Sequence, residues 1–131
     1  MKLENLFEMY TAYVLDTKSR EKLKEKFPPK YPEFVGHHIT LKFGVPKNTQ
    51  TPAEPDSVEV VGYADSGDGL EALVVEVNGN RKRADGRVYH ITWSLDRSAG
   101  YKPVDSNNLV SNKYSMIRPP IKISTTPKVL K

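Results

Sequence analysis

The 131-residue chain has the length of a single domain, residues 1–131, with one modest hydrophobic core. It contains no cysteine, which excludes disulfides, cysteine-ligated zinc and a cysteine nucleophile. Because 20 basic side chains stand against 16 acidic ones, the net charge of +4 only weakly favours an anionic partner. No apolar run approaches the roughly 18 residues of a membrane span, and no signal-peptide core follows the start. We therefore expect a cytoplasmic protein that does not associate with membranes.

The first third of the chain predicts a strand, a helix and a connector. Residues 1–8 predict a short helical lead-in, and Met9–Asp16, rich in aromatic and β-branched residues, predicts the first strand. Ser19 is predicted to cap a helix that continues to Phe27. A connector interrupted by proline then leads to a strand over residues 36–44.

The middle of the chain predicts a β-hairpin followed by a basic loop. Val58–Ala64 and Leu70–Val77 have strand composition, and the glycine-containing turn at residues 66–69 separates them. The loop at residues 78–87 carries four positive charges and one negative charge. Such a loop is either a solvated hairpin tip or a device that steers a phosphate towards a site.

The last third of the chain shows little periodicity. Residues 100–118 are predicted to be irregular, and long irregular segments in small domains are commonly functional lids. Ile121–Ser124 predicts a last short strand, and Pro127 marks a sheet edge or the end of the strand. Together the elements predict an α+β domain, a mainly antiparallel sheet with one clear helix.

The sequence His-Ile-Thr occurs twice, at residues 38–40 and 90–92. At the strand period of two, the histidine and threonine of each copy share a polar face, whereas the isoleucine points into the core. Lys42 continues the polar face of the first strand, and Leu41 and Phe43 continue its apolar face. If the two strands are neighbours, both imidazoles and both hydroxyls face one cleft.

Two imidazoles and two hydroxyls in one cleft suit general acid–base chemistry on a phosphodiester. Imidazole can give or accept a proton near neutral pH. One of His38 and His90 would activate a water and the other would protonate the leaving oxygen, while Thr40 and Thr92 would hold the phosphate. This chemistry requires neither a metal nor a covalent intermediate, so no cofactor is expected.

The paired motifs, the first set in Gly-His-His-Ile-Thr-Leu at residues 36–41, resemble those of the 2H phosphoesterase superfamily. This superfamily includes LigT-like enzymes and the cyclic phosphodiesterase domains of RNA-repair proteins, and its phage and viral relatives cleave cyclic nucleotide signals. The resemblance implies a compact two-lobed sheet with a central cleft and metal-independent hydrolysis of a cyclic phosphodiester. It assigns the catalytic roles to His38, Thr40, His90 and Thr92.

A nucleotide or an RNA end is the expected substrate, and no obligatory protein partner is evident. The irregular segment would close over it, with hydrogen bonds from Asn107, Asn108 and Ser111. Cations that meet the phosphate and aromatic rings that stack on a base are the expected substrate-binding groups. We predict that these groups are Lys42, Tyr13, Phe34, Arg81, Arg83, Tyr101 and Tyr114.

Two other interpretations of the motifs remain open. In the first, the same cleft holds a nucleotide or an RNA end without cleaving it, although such a module has no need of two titrating imidazoles. In the second, His37, His38 and His90 bind a metal. The metal site is less favoured because adjacent strand residues point apart and no carboxylate or cysteine lies at ligand spacing. By strand parity, His37 is instead predicted to pack in the core.

Overall fold

A computed structural model describes residues 8–131 of the chain, so the lead-in predicted at residues 1–8 lies outside the described residues except for Glu8. The protein is an α+β domain whose strands, mostly antiparallel, form one curled half-barrel sheet. The strands are β1 (Met9–Leu15), β2 (Glu33–Phe34), β3 (His38–Val45), β4 (Val58–Asp65), β5 (Leu70–Val77), β6 (His90–Leu95), β7 (Ser115–Lys122) and β8 (Thr125–Leu130). The helices are α1 (Thr17–Lys26) and α2 (Ser106–Asn112), and two short 3-10 helices cover Arg97–Ala99 and Pro103–Asp105.

The strand order places the two His-Ile-Thr segments on adjacent central strands. The order across the sheet is β7-β4-β5-β6-β3-β1-β8, and β2 pairs with β6 off this path. One half of the sheet, β5-β4-β7, therefore lies beside β6, and the other half, β1-β8, lies beside β3. The expectation that the motif strands are neighbours is confirmed.

Each face of the sheet has its own apolar cluster. On one face the isoleucines of both motifs and the fully buried Trp93 pack with Leu23 of α1. On the other face, Val110 of α2 packs against small and β-branched residues of β4 and β5. Helix α2 contacts β4, β5 and β6. It therefore covers only part of its face, and the part formed by β3, β6 and β1 remains open as a cavity.

The N-cap of helix α1 lies three residues earlier than predicted. Its N-cap is Asp16, whose carboxylate accepts a hydrogen bond from the Ser19 backbone N–H at 2.7 Å. Ser19 is instead buried in the helix, and its hydroxyl accepts from the backbone N–H of Ser124 at 2.7 Å. The prediction for Ser19 was wrong because Asp16 is as good a cap and stands nearer the end of β1.

The segment predicted to be irregular, residues 100–118, contains a 3-10 helix, the helix α2 and half of β7. Helix α2 is only seven residues long and has Ser and Asn at most positions, so it shows no helical periodicity in the sequence. It forms because Ser106 and Val110 are buried against the sheet. The hairpin of β4 and β5 is confirmed, and Pro127 lies in the edge strand β8, where a missing N–H is tolerated.

Among residues 8–131, no helix has both the length and the apolar character needed to cross a membrane.

Candidate active site

A cavity of about 780 Å³ lies on the open part of the sheet and contains both motifs. Its volume falls within the range of roughly 300–1,000 Å³ typical of small-molecule sites. Strands β3 and β6 contribute His38, Thr40, His90 and Thr92, and the basic loop contributes Arg83. The remaining lining residues are Tyr10, Val35, Phe43, Asp85, Arg87, Pro103, Val104 and Asn107.

The two motifs meet in a near-symmetric arrangement. The antiparallel strands β3 and β6 pair Ile39 with Ile91. In an antiparallel register the positions on either side of this pair place the histidine of each motif beside the threonine of the other. Both isoleucines are fully buried. They fix the two strands from the core side, so that the polar positions project together into the cavity.

His90 is held by a backbone carbonyl. Its Nδ1 lies 2.9 Å from the Val88 carbonyl oxygen, and because a carbonyl can only accept, Nδ1 carries the proton. Nε2 is thus the nitrogen available to the cavity. Burial lowers the pKa of His90, and the charges of Arg83 and Arg87 lower it further, whereas the hydrogen bond to Val88 raises it.

His38 is held by a neighbouring imidazole. The Nδ1 atoms of His37 and His38 lie 3.0 Å apart, so one nitrogen donates and the other accepts. Burial, and to a lesser extent the charges of His37 and His90, lowers the pKa of His38 to about 4. His38 is therefore neutral at physiological pH. The prediction that His37 packs in the core was wrong: β3 begins at His38, and the His37 side chain is exposed.

The two threonines differ in their surroundings. The Thr92 hydroxyl donates to the Pro103 carbonyl at 3.3 Å and lies 2.9 Å from the buried Ser106 hydroxyl, which therefore donates to it. These contacts tie β6 to the start of α2. The Thr40 hydroxyl has no such partner among residues 8–131 and faces the cavity.

The basic loop delivers two arginines and one carboxylate to the cavity. The Arg83 side chain is buried and forms an ion pair of 2.6 Å with Asp85, whose pKa it lowers to about 2. Asp85 also accepts from the Arg87 backbone N–H at 3.0 Å, while the Arg87 residue is exposed. With two positive charges and one negative, this wall of the cavity attracts an anion.

A bulge in β3 changes which residues face the cavity. The register with β1 shifts by one residue, through the pairs Tyr10–Phe43, Thr11–Lys42 and Ala12–Thr40. Leu41 is left without a partner, and beyond it the two faces are exchanged. Phe43 therefore lines the cavity, and Lys42, predicted to do so, does not. A regular period of two cannot reveal a bulge, so the positions of Phe43 and its neighbour Tyr10 in the cavity could not be predicted from the sequence.

Two predicted substrate-binding aromatics, Tyr13 and Phe34, do not line the cavity. Tyr13 is 7% exposed in the core, and its hydroxyl donates to the Ala53 carbonyl at 2.9 Å. Phe34 packs edge-to-face on Trp93 at 4.9 Å, and the guanidinium of Arg20 lies 4.2 Å from the centre of the Phe34 ring. Both rings lie on the α1 face of the sheet, where they fill space between the helix and the strands.

Three further predicted substrate-binding residues also lie away from the cavity. Arg81 binds Glu76 at 2.9 Å and the Tyr114 hydroxyl at 2.7 Å. Arg81 and Tyr114, both predicted to bind substrate, therefore bind each other instead. The Tyr101 hydroxyl donates to Asp68 at 2.5 Å. Of the polar residues assigned to the lid, Asn107 lines the cavity, whereas Asn108 and Ser111 are exposed and do not line it.

The described residues, 8–131, contain no group of three His, Cys, Asp or Glu side chains arranged to hold a metal ion. The fold of these residues therefore does not support the interpretation of His37, His38 and His90 as a metal site.

Comparison of the chain with protein-family models, with curated proteins and with solved structures found no match in any of the three.

Proposed function

We propose that this protein is a metal-independent phosphodiesterase that hydrolyses a cyclic phosphodiester of a nucleotide or an RNA end. The observation that carries the proposal is the pairing of Ile39 with Ile91, which brings two His-x-Thr motifs into one cavity beside two arginines. Two imidazoles with their Nδ1 atoms held and their Nε2 atoms free suit proton transfer at a bound phosphate. In this proposal the two halves of the sheet are the two lobes of a LigT-like 2H phosphoesterase.

The surroundings of the histidines assign their roles. His38, with its pKa lowered to about 4, is neutral and serves as the base. Burial lowers the pKa of His90, but the Val88 carbonyl and the negative charge of a bound phosphodiester oppose this effect, so that His90 is protonated in the complex and serves as the acid. These roles complete the proton balance of a hydrolysis.

In the reaction, a water oxygen forms a bond to phosphorus while the bond from phosphorus to one ribose oxygen breaks. The Nε2 atom of His38 takes a proton from the water, and His90 gives its proton to the departing oxygen. The products are a phosphomonoester and a free ribose hydroxyl, and exchange with solvent resets both histidines. The Thr40 hydroxyl and the charges of Arg83 and Arg87 stabilise the negative charge that develops on the phosphate oxygens. The Thr92 hydroxyl joins them by turning its proton from the Pro103 carbonyl to the bound phosphate.

The proposal is tested with a panel of substrates: 2′,3′-cyclic mononucleotides, RNA with a cyclic phosphate end, and cyclic di- and trinucleotides. We expect turnover of at least one of them, retained in excess EDTA, and lost about 10²–10⁴-fold in His38→Ala and in His90→Ala. Circular dichroism checks that both variants are folded. Near-normal turnover by either variant would reject the two-histidine mechanism. Binding of a substrate without turnover would support the non-catalytic module instead.

The basic loop contains a matched pair for testing the role of charge. Arg87 lines the cavity and is exposed, whereas Arg81 lies in the same loop but is engaged by Glu76 and Tyr114. We expect Arg87→Gln to raise KM several-fold with little change in kcat, and the effect to shrink at high salt. Arg81→Gln removes the same charge outside the cavity and should leave both constants near those of the native protein. Equal effects of the two substitutions would contradict a local role for Arg87.

A further inference from the structure

The cavity contains a large apolar side chain that the fold leaves uncovered. Phe43 is 70% exposed although it lies within a strand of the central sheet. Burial of a phenylalanine side chain is normally favourable by about 1.5–3 kcal/mol, so a ring left in water within a cavity is available to a ligand. The ring is not isolated: it stacks on Tyr10, with centroids 5.8 Å apart and planes at 17°.

The stacked pair continues to the catalytic candidates. The Tyr10 ring lies 5.3 Å from the His38 ring, so Phe43, Tyr10 and His38 form a continuous row of rings along one wall. We call Phe43 and Tyr10 the aromatic shelf. A flat group attached to a phosphate at His38 would therefore reach the shelf.

A second feature of the cavity is a polar atom without a partner. The Nδ2 group of Asn107 donates to the Val104 carbonyl at 3.1 Å, which fixes the orientation of the amide because a carbonyl only accepts. Its Oδ1 atom is buried and has no hydrogen-bond partner among the described residues. A buried acceptor left unpaired is unfavourable, and Asn107 lines the cavity. A ligand N–H group that reaches this atom through a small shift of the Asn107 side chain would satisfy it.

We propose that the aromatic shelf and Asn107 Oδ1 form a nucleobase subsite, in which the base stacks on Phe43 and an exocyclic amino group donates to Asn107. The proposal rests on the proposed function and narrows its substrates to nucleotides whose base carries an amino group. Every nucleobase has a π-face that can stack on a phenylalanine, whereas only adenine, cytosine and guanine carry an amino group. The shelf therefore supplies affinity, and Asn107 distinguishes a purine that carries the amino group from one that lacks it.

The shelf is tested by binding of a nucleoside monophosphate, which needs no turnover. Adenosine 2′-monophosphate is compared with the methyl riboside of the same phosphate, which lacks the base, by titration calorimetry. Phe43→Leu keeps an apolar side chain without a π-face and should weaken binding of the nucleotide about 5- to 150-fold, with little effect on the riboside phosphate. Phe43→Trp should retain nucleotide binding. Met116→Ala, which removes another exposed apolar side chain outside the cavity, is the control.

Asn107 is tested with a pair of ligands that differ in one group. Asn107→Leu should weaken binding of adenosine 2′-monophosphate severalfold but leave binding of the purine riboside analogue, which lacks the amino group, unchanged. If Phe43→Leu weakens nucleotide and riboside phosphate equally, the shelf does not bind the base and this proposal fails. If Asn107→Leu affects both purine ligands equally, the assignment of the amino group fails.

These outcomes are separate from the proposed function. If the histidine variants lose hydrolysis but Phe43→Leu has no base-selective effect, the phosphodiesterase proposal stands and the subsite proposal fails. If Phe43 binds the base selectively but the protein hydrolyses none of the substrates, the subsite proposal stands and the phosphodiesterase proposal fails.

Discussion

The two His-Ile-Thr strands carry the same three residues but are held in different ways. On β6, the His90 Nδ1 atom binds a backbone carbonyl and the Thr92 hydroxyl binds Pro103 and Ser106. On β3, the His38 Nδ1 atom binds only the exposed side chain of His37. The β6 half of the site is therefore fixed by backbone and buried groups, whereas the β3 half depends on one exposed side chain. Preorganisation of this kind fixes proton-transfer geometry before the substrate arrives.

The greatest loss of activity is expected on removal of the histidines, and it shows whether the two halves of the site work as one unit. Since the base and the acid act in the same step, each single alanine variant should lose about 10²–10⁴-fold in kcat/KM. The double variant His38→Ala with His90→Ala should lose little more than the worse single variant, because residues of one catalytic unit are not additive. Steady-state kinetics on the best substrate of the panel gives all three values. Losses that multiply would mean that the two histidines act in separate steps.

The second prediction concerns how the free energy of unfolding depends on pH. The pKa of His38 is lowered to about 4 and that of His90 is also lowered, chiefly by burial. In the unfolded chain both histidines titrate near pH 6.5, so on acidification the unfolded state takes up protons first. The free energy of unfolding should therefore decrease as the pH falls from about 6.5 towards 4, by at most about 1.4 kcal/mol per pH unit for each histidine.

Urea denaturation at pH 7, 6 and 5 measures this dependence. His38→Gln should flatten it, because the variant has one fewer histidine with a lowered pKa. Asp85, with a pKa of about 2, loses its stabilising effect only below its unfolded value near 3.8 and does not interfere in this range. A His38→Gln variant with the full native pH dependence would show that the His38 pKa is not lowered.

Part of the candidate site could be predicted from the sequence, and the rest depends on tertiary packing. The repeated motif and its period of two predicted that His38 and His90 share a face with their threonines, because local alternation suffices for that. The exchange of faces at Leu41 is set by pairing with β1, a strand about 30 residues away, so the exposure of Phe43 was not predictable. The formation of α2 likewise depends on burial of Val110 against the sheet, and seven residues carry too little periodic signal to reveal it.

A third prediction separates the two threonines. Thr92→Val keeps the shape of the side chain but leaves the buried Ser106 hydroxyl and the Pro103 carbonyl without their partner. We expect it to lower the free energy of unfolding by about 1–3 kcal/mol. Thr40→Val removes a hydroxyl with no such partner and should change stability by less than about 0.5 kcal/mol, while activity falls in both variants. Equal loss of stability in the two variants would contradict the difference between the strands.

The smallest change in activity is expected for His37. His37 contacts the Nδ1 atom of His38, as the Val88 carbonyl contacts the Nδ1 atom of His90. If His38 is the base through Nε2, its Nδ1 carries a proton and the Nδ1 of His37 accepts it. His37→Ala removes this acceptor and should lower kcat about three- to tenfold, the equivalent of one hydrogen bond of roughly 1 kcal/mol, with little change in KM. His37→Asn supplies an amide oxygen near the same place and should recover most of the loss. The tautomer of His38, followed by nitrogen-15 NMR of its ring, should be Nδ1–H in the native protein and in His37→Asn, but a mixture in His37→Ala. An unchanged tautomer in His37→Ala would show that the contact does not orient His38, and that β3 needs no partner of the kind that β6 has.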